Sequence, residues 1–158
     1  MLKKRVLLVE DNPTVRKIIS YTLIRFGLNV VEATDGVEAL EKVYSEKPDL
    51  VLLDINIPKL SGYAVCTQIK SDPQTQNISV IFCISKSDEN DYHEAQKYGA
   101  DGYLIKPFKQ SEIFTLIAEL GITNIKVNED RYIPTLTEGY IRFIAKKKNN
   151  YIDNFVYS

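Results

Sequence analysis

Five short apolar runs, at residues 5–9, 30–33, 50–54, 80–84 and 102–105, are separated by stretches with helical spacing of apolar residues. Most of these runs are continuously apolar rather than alternating, which is the pattern of strands covered on both faces. Between the first two, Val15, Ile18, Ile19, Leu23 and Phe26 predict one apolar helix face, opened by Pro13 and closed by Gly27. Ile113, Leu116, Ile117 and Leu120 repeat the pattern before Gly121. Strands alternating with helices, joined by right-handed crossovers, leave few solutions, and the simplest is a doubly wound parallel sheet with helices on both faces. The fourth helix, at about residues 89–98, offers only Tyr92, Ala95 and Tyr98 to a core. It is expected to pack less firmly than its neighbours, which suits a mobile element.

From Gly121 the alternation stops. The reading is therefore a domain over residues 1–121 and a short C-terminal extension over 122–158. The extension carries Tyr132, Tyr140, Phe143, Tyr151, Phe155 and Tyr157 around Lys146-Lys147-Lys148. It is too apolar for a solvated linker and too short for a domain with its own core. A net charge of −1 gives no global pull toward nucleic acid or membrane. No apolar run reaches transmembrane length, and the apolar stretch after the basic N-terminus stops at Glu10, which disfavours a signal peptide. Cys66 and Cys83 lie inside helix and strand patterns rather than in a spaced framework. They read as reduced structural thiols, and the chain as a cytoplasmic protein.

The strands end in chemistry. Residues 6–9 run into Glu10-Asp11, residues 50–53 into Asp54, residues 80–84 into Ser85, and residues 102–105 into Lys106-Pro107. Open α/β sheets place their binding crevice at the carboxyl ends of the strands. Three carboxylates meeting there repel one another and hold protons unless cations neutralise them. Lys106 supplies one positive charge, and a hard divalent ion with oxygen ligands, Mg²⁺ by preference, would supply the rest. A carboxylate can act as a nucleophile toward phosphorus, with metal and lysine stabilising charge on the transferring group. Ser85 could then hydrogen-bond a phosphoryl oxygen. Each residue also has a plainer reading: Asp54 as a strand-end polar group, Glu10-Asp11 as a helix cap, Lys106 as a surface lysine before a proline.

The set taken together resembles the receiver domain of two-component response regulators. The resemblance covers about residues 3–120 and rests on Glu10-Asp11, Asp54 with Pro58 and Gly62, Ser85, and Lys106-Pro107-Phe108. It implies a flavodoxin-like five-stranded sheet of order 2-1-3-4-5, with Asp54 as phosphoacceptor. It also implies Mg²⁺ held by Asp11, Asp54 and the backbone carbonyl of Asn56, with Glu10 acting through water. Lys106 would pair with the phosphoryl group, Ser85 would be the switch hydroxyl and Tyr103 the switch aromatic. The expected activity is phosphoryl acceptance with slow autodephosphorylation, a signalling module rather than an enzyme. A histidine kinase or phosphotransfer protein would be the donor. A downstream protein would bind the face made by the fourth helix, fifth strand and fifth helix, with a homodimer as a further form of association. Lys86 departs from the family, which has a small residue after the switch hydroxyl, and so bears on phosphoryl lifetime. His93, the only histidine, reads as an ordinary residue of the fourth helix.

Three rivals stand beside this reading. A phosphatase resembling haloacid dehalogenases needs a second aspartate two residues after the nucleophile, and Asn56 stands there. A DNA-binding regulator needs a helix-turn-helix module for which residues 122–158 are too short, so nucleic acid is not an expected partner of this chain. The alternative is that the chain is the N-terminal receiver part of a longer DNA-binding or enzymatic response regulator. A phosphorylation-independent adaptor is disfavoured by the intact acid cluster.

Overall fold

The computed structural model describes residues 3–85 and 91–122, the side chains of 91–93 excepted. Along the chain lie β1 (Arg5–Val9), α1 (Pro13–Arg25), β2 (Asn29–Ala33), α2 (Gly36–Glu46) and β3 (Leu50–Asp54). They are followed by α3 (Gly62–Ser71), β4 (Ser79–Ser85), α4 (Asp91–Lys97), β5 (Gly102–Lys106) and α5 (Gln110–Glu119). All neighbouring strands are parallel, in the order β2-β1-β3-β4-β5. The expected strands fall where the apolar runs lie, within a residue at each end. The expected fold class and strand order are those observed.

Two cores follow from the two-residue period of the strands. Leu7, Val9, Val51, Leu53, Val80, Phe82, Ile84, Tyr103 and Ile105 point to one face, where residues of α2, α3 and α4 such as Val43, Cys66 and Ala95 cover them. Val6, Leu8, Leu50, Leu52, Ile81, Cys83 and Leu104 point to the other, under Ile19 and Leu23 of α1 and Ile113, Leu116 and Ile117 of α5. Because both faces are covered, even Leu50–Asp54 is buried throughout. Ile122, just past α5, belongs to the second core and donates its N–H to Ile117 O at 3.0 Å.

One position of the apolar stripe on α1 differs from expectation. Ile18 is 62% exposed, and Thr22 takes a place in the core with 3% exposure. The face that meets the sheet runs through Val15, Ile19, Leu23 and Phe26, and position 22 falls on it while 18 falls outside. Thr22 tolerates burial because its hydroxyl donates to Ile18 O at 3.0 Å. Of the apolar residues expected to anchor the fourth helix, Ala95 is buried, and the side chain of Tyr92 lies outside the described residues. Past its end, Tyr98 stacks on Tyr63 of α3 at 4.5 Å between ring centroids.

Candidate functional site

Strand geometry alone delivers the acids and the lysine to one edge of the sheet. Parallel pairing aligns Val9 with Leu53, Asp54 with Cys83, and Ser85 with Lys106. The residues just past β1 and those that close β3, β4 and β5 therefore meet at the carboxyl ends. Glu10 is held there by its N–H, which donates to Ala33 O at 3.1 Å, and Asn12 caps α1 by accepting from Thr14 N and Val15 N. Behind Asp54 the chain must turn back at once into α3. Gly62 permits this, since a Cβ at that position would lie 2.5 Å from Asp54 O and 2.7 Å from Ile55 Cα. Gly62 N–H closes the turn by donating to Ile55 O at 2.8 Å.

Lys106 Nζ is the hub of the site. It donates to Asp54 Oδ2 at 3.1 Å and to both carboxylate oxygens of Glu10, at 3.0 and 3.2 Å. The Glu10 side chain is 4% exposed and that of Asp54 12%. Asp11 joins them from the exposed side, and ligand oxygens of Glu10, Asp11 and Asp54 lie within 4.8 Å of one another. Burial, together with the neighbouring Asp54 carboxyl, pushes Glu10 up to about 7, with Lys106 offsetting only part of this. Burial works against the charge on Lys106, but Asp54 and Glu10 outweigh it and raise the ammonium above its ordinary value. Three carboxylates against one ammonium leave a surplus of negative charge. The donors are hard oxygens, one cluster edge is open to solvent, and the set fits a small divalent cation.

The other expected residues take these positions. Asn56 lies in the turn after β3, with its N–H 3.3 Å from Asp54 Oδ1. Ser85, half-buried, ends β4 beside Lys106. Tyr103, 3% exposed, lies on β5 among the residues covered by α2, α3 and α4. Lys86 lies outside the described residues, as does the side chain of His93. Sequence reasoning passed over Arg16, whose guanidinium reaches the carbonyls of Glu10 and Asp11. It also treated Cys83 only as core. That thiol, paired in register with Asp54, is pushed up to about 12 by burial and is held there as an uncharged neighbour of the acids.

Residues 6–118 match the family model of the response regulator receiver domain. The chain belongs to that family. A probable transcriptional regulator, ycf27, of Guillardia theta is 40% identical to this receiver over 111 residues, which are 70% of this chain and 42% of the relative. Its counterpart of the same name in Porphyridium aerugineum is 30% identical over 157 residues, 98% of this chain and 64% of the relative. The match thus spans 42% to 64% of the length of these relatives. Among solved structures, the receiver domain of the sensor histidine kinase PA1611 of Pseudomonas aeruginosa superposes with a TM-score of 0.71 at 27% identity, covering 76% of this chain and 99% of that one. That structure has a magnesium ion coordinated in its active-site cleft. This receiver is therefore a phosphoacceptor module of two-component signalling. Among the described residues no helix is long and apolar enough to cross a membrane.

Proposed function

We propose that this receiver takes a phosphoryl group on Asp54 from the phosphohistidine of a kinase or phosphotransfer protein, in a cleft that binds Mg²⁺. The observation that carries the reading is the shared ammonium: Lys106 binds Asp54 and Glu10 together, with Asp11 in the same cluster. An Asp54 carboxylate oxygen attacks phosphorus, the P–N bond of the donor breaks, and the electron pair returns to the imidazole. Lys106, already 3.1 Å from the nucleophilic carboxylate, is placed to hold the incoming phosphoryl oxygens. Ser85, beside Lys106 in register, is the hydroxyl that would meet another of those oxygens. Asp11, Asp54 and the carbonyl of Asn56 would hold the metal, with Glu10 acting through water. Bound there, Mg²⁺ supplies charge neutralisation for the transferring phosphoryl group.

Output would arise from the same contacts. Ser85 and Lys106 end the two strands that adjoin α4, so drawing them onto a phosphoryl group biases the surface made by α4, β5 and α5. Tyr103, one face over on β5, would move with that shift. A downstream protein or a second copy of the chain would bind the surface, and slow loss of the phosphoryl group would reset it.

Acetyl phosphate with Mg²⁺ is expected to add one phosphoryl mass to the protein, and chelation of the metal to prevent it. Mg²⁺ titrations should show a larger loss for Asp11→Ala than for Glu10→Ala, since Glu10 is already engaged by Lys106 and acts through water. Absence of any adduct, or Mg²⁺ binding untouched in both variants, would remove the reading.

A second reading concerns the C-terminal extension, residues 122–158, of which Ile122 alone is described. The 30% identity with the Porphyridium aerugineum regulator runs through almost the whole chain, past the receiver and into these residues. They are proposed to correspond to the segment after the receiver in such a regulator, as a C-terminal extension of the unit at 1–121. Every proposed site residue lies before Pro107, and the last described core residue is Ile122. A chain ending at Ile122 is therefore expected to accept phosphoryl groups at the rate of the full chain, while its association or partner binding changes. A folded truncation unable to accept phosphoryl would place the functional boundary elsewhere.

A further inference from the structure

α1 carries three basic residues, Arg16, Lys17 and Arg25, and no acidic one. Arg16 stands in the helix's first turn and a half, close to the positive end of the helix macrodipole, where a cation is disfavoured. Its position is explained by what it touches. One guanidinium nitrogen, Nη1, donates to Glu10 O at 2.9 Å and lies 3.5 Å from Asp11 O. Nε faces Glu32 Oε1 of β2 at 3.7 Å, and the Arg16 side chain is 19% exposed. A single side chain thus bridges the β1–α1 turn and the end of β2.

That turn carries the acids of the site. The Glu10 peptide is held on one side by Ala33 O and on the other by Arg16. Glu10's carboxylate has Lys106, but among the described residues the carboxylate of Asp11 makes no hydrogen bond or ion pair of its own. It sits within reach of two other carboxylates, which push it outward. What keeps it in the cluster is its backbone, and among the described residues the side chain gripping that backbone beyond the helix cap is Arg16.

We propose that Arg16 is a positioning residue for the cation site: by holding the Glu10 and Asp11 carbonyls it keeps the Asp11 carboxylate aimed at the cleft before metal arrives. The inference rests on the reading of Asp11 as a metal ligand under the proposed function. Groups that orient ligands from outside cost roughly 10–100-fold in metal affinity when removed. Arg16 acts on the backbone rather than on a ligand atom, so a loss of about 10-fold, at the lower end, is expected.

Simple electrostatics gives the opposite sign, and this makes the test sharp. Deleting a positive charge near a cation site, with nothing else changed, strengthens Mg²⁺ binding. Lys17→Ala, which removes a neighbouring exposed cation, measures that effect. The experiment is calorimetric titration of Mg²⁺ into full-length wild type, Arg16→Ala, Arg16→Lys, Glu32→Gln, Lys17→Ala and Asp11→Ala. Phosphorylation by acetyl phosphate is followed as a function of Mg²⁺ alongside it.

Arg16→Ala should bind Mg²⁺ about 10-fold more weakly, and its half-saturating Mg²⁺ should move more than its plateau rate. Arg16→Lys, keeping the charge but not the fork, and Glu32→Gln, freeing the anchor on β2, should fall between it and wild type. Unaltered or tighter Mg²⁺ binding by Arg16→Ala overturns the proposal, whatever its melting temperature does. Should that variant not fold, unaltered binding by both Arg16→Lys and Glu32→Gln overturns it equally. Retention of Mg²⁺ by Asp11→Ala would instead bring down the metal-site reading beneath it, a result distinct from failure of Arg16 alone.

Discussion

Asp54→Asn is expected to fold, to melt near the wild-type temperature, and to accept no phosphoryl group from acetyl phosphate. The substitution is nearly isosteric, and the amide oxygen can still accept from Lys106, so the walls of the cleft stay in place. What disappears is the nucleophile: an amide is not an anionic oxygen donor toward phosphorus. The surplus of negative charge in the cluster also falls by one. Glu10, raised partly by its neighbour Asp54, should then ionise more readily and tighten its ion pair with Lys106. The fold therefore has little to lose while the chemistry has everything to lose. Intact-mass spectra after treatment with acetyl phosphate and Mg²⁺ decide the matter. An adduct of undiminished yield on the Asn variant would put the phosphoacceptor at another residue.

Much of this architecture can be read from residue order because parallel sheets demand it. A strand covered on both faces has no room for a charge until it emerges at its carboxyl end. Leu50-Val51-Leu52-Leu53 followed by Asp54 thus announces both the strand and the site. Glu10-Asp11, Ser85 and Lys106 obey the same rule, so residue order alone places side chains up to 96 positions apart at one edge of the sheet. The rule works poorly for helices, where the buried face is set by how the helix rolls on the sheet. Ile18 looks like core by type and spacing, yet Thr22 is core because its hydroxyl can bond back to its own helix.

Contacts made by long side chains to backbone atoms are the least legible of all. Arg16 has no apolar period or motif to mark it, and its partners are carbonyls, which every residue carries. The hint it leaves is an electrostatic misfit, a cation near a helix N-terminus. Lys70, in the last turn of α3, leaves no such hint, because a cation suits a helix C-terminus whether or not it is paired.

Lys70→Met is expected to cost the protein more stability than an ordinary surface substitution by a wide margin. The Lys70 ammonium donates to Asp101 Oδ2 at 2.7 Å, to Ile78 O at 2.7 Å and to Gln76 O at 3.2 Å. Asp101 also accepts from Val80 N at 2.8 Å, while its own N–H donates to Val80 O. The side chains are 16% and 5% exposed, so removing the lysine takes its cation away from a carboxylate that water can hardly reach. Breaking a buried pair from one side typically costs about 3–5 kcal/mol, a large share of the roughly 5–15 kcal/mol that holds a domain folded. Methionine keeps most of the stem that lies against Gly99, so the loss should come from the charge rather than from a cavity. Asp101→Asn is expected to cost less, because an amide oxygen can still take the Val80 and Lys70 hydrogen bonds, and the ammonium keeps its two carbonyls. The network sits where β5 begins, and Lys106 ends that strand, so it also sets how β5 lies against β4 and Ser85. Urea unfolding with both midpoint and slope measured would resolve the two variants. A Lys70→Met loss below about 1 kcal/mol, the range of exposed ion pairs, would mean that solvent reaches Asp101 and that the network does not lock the two strands together.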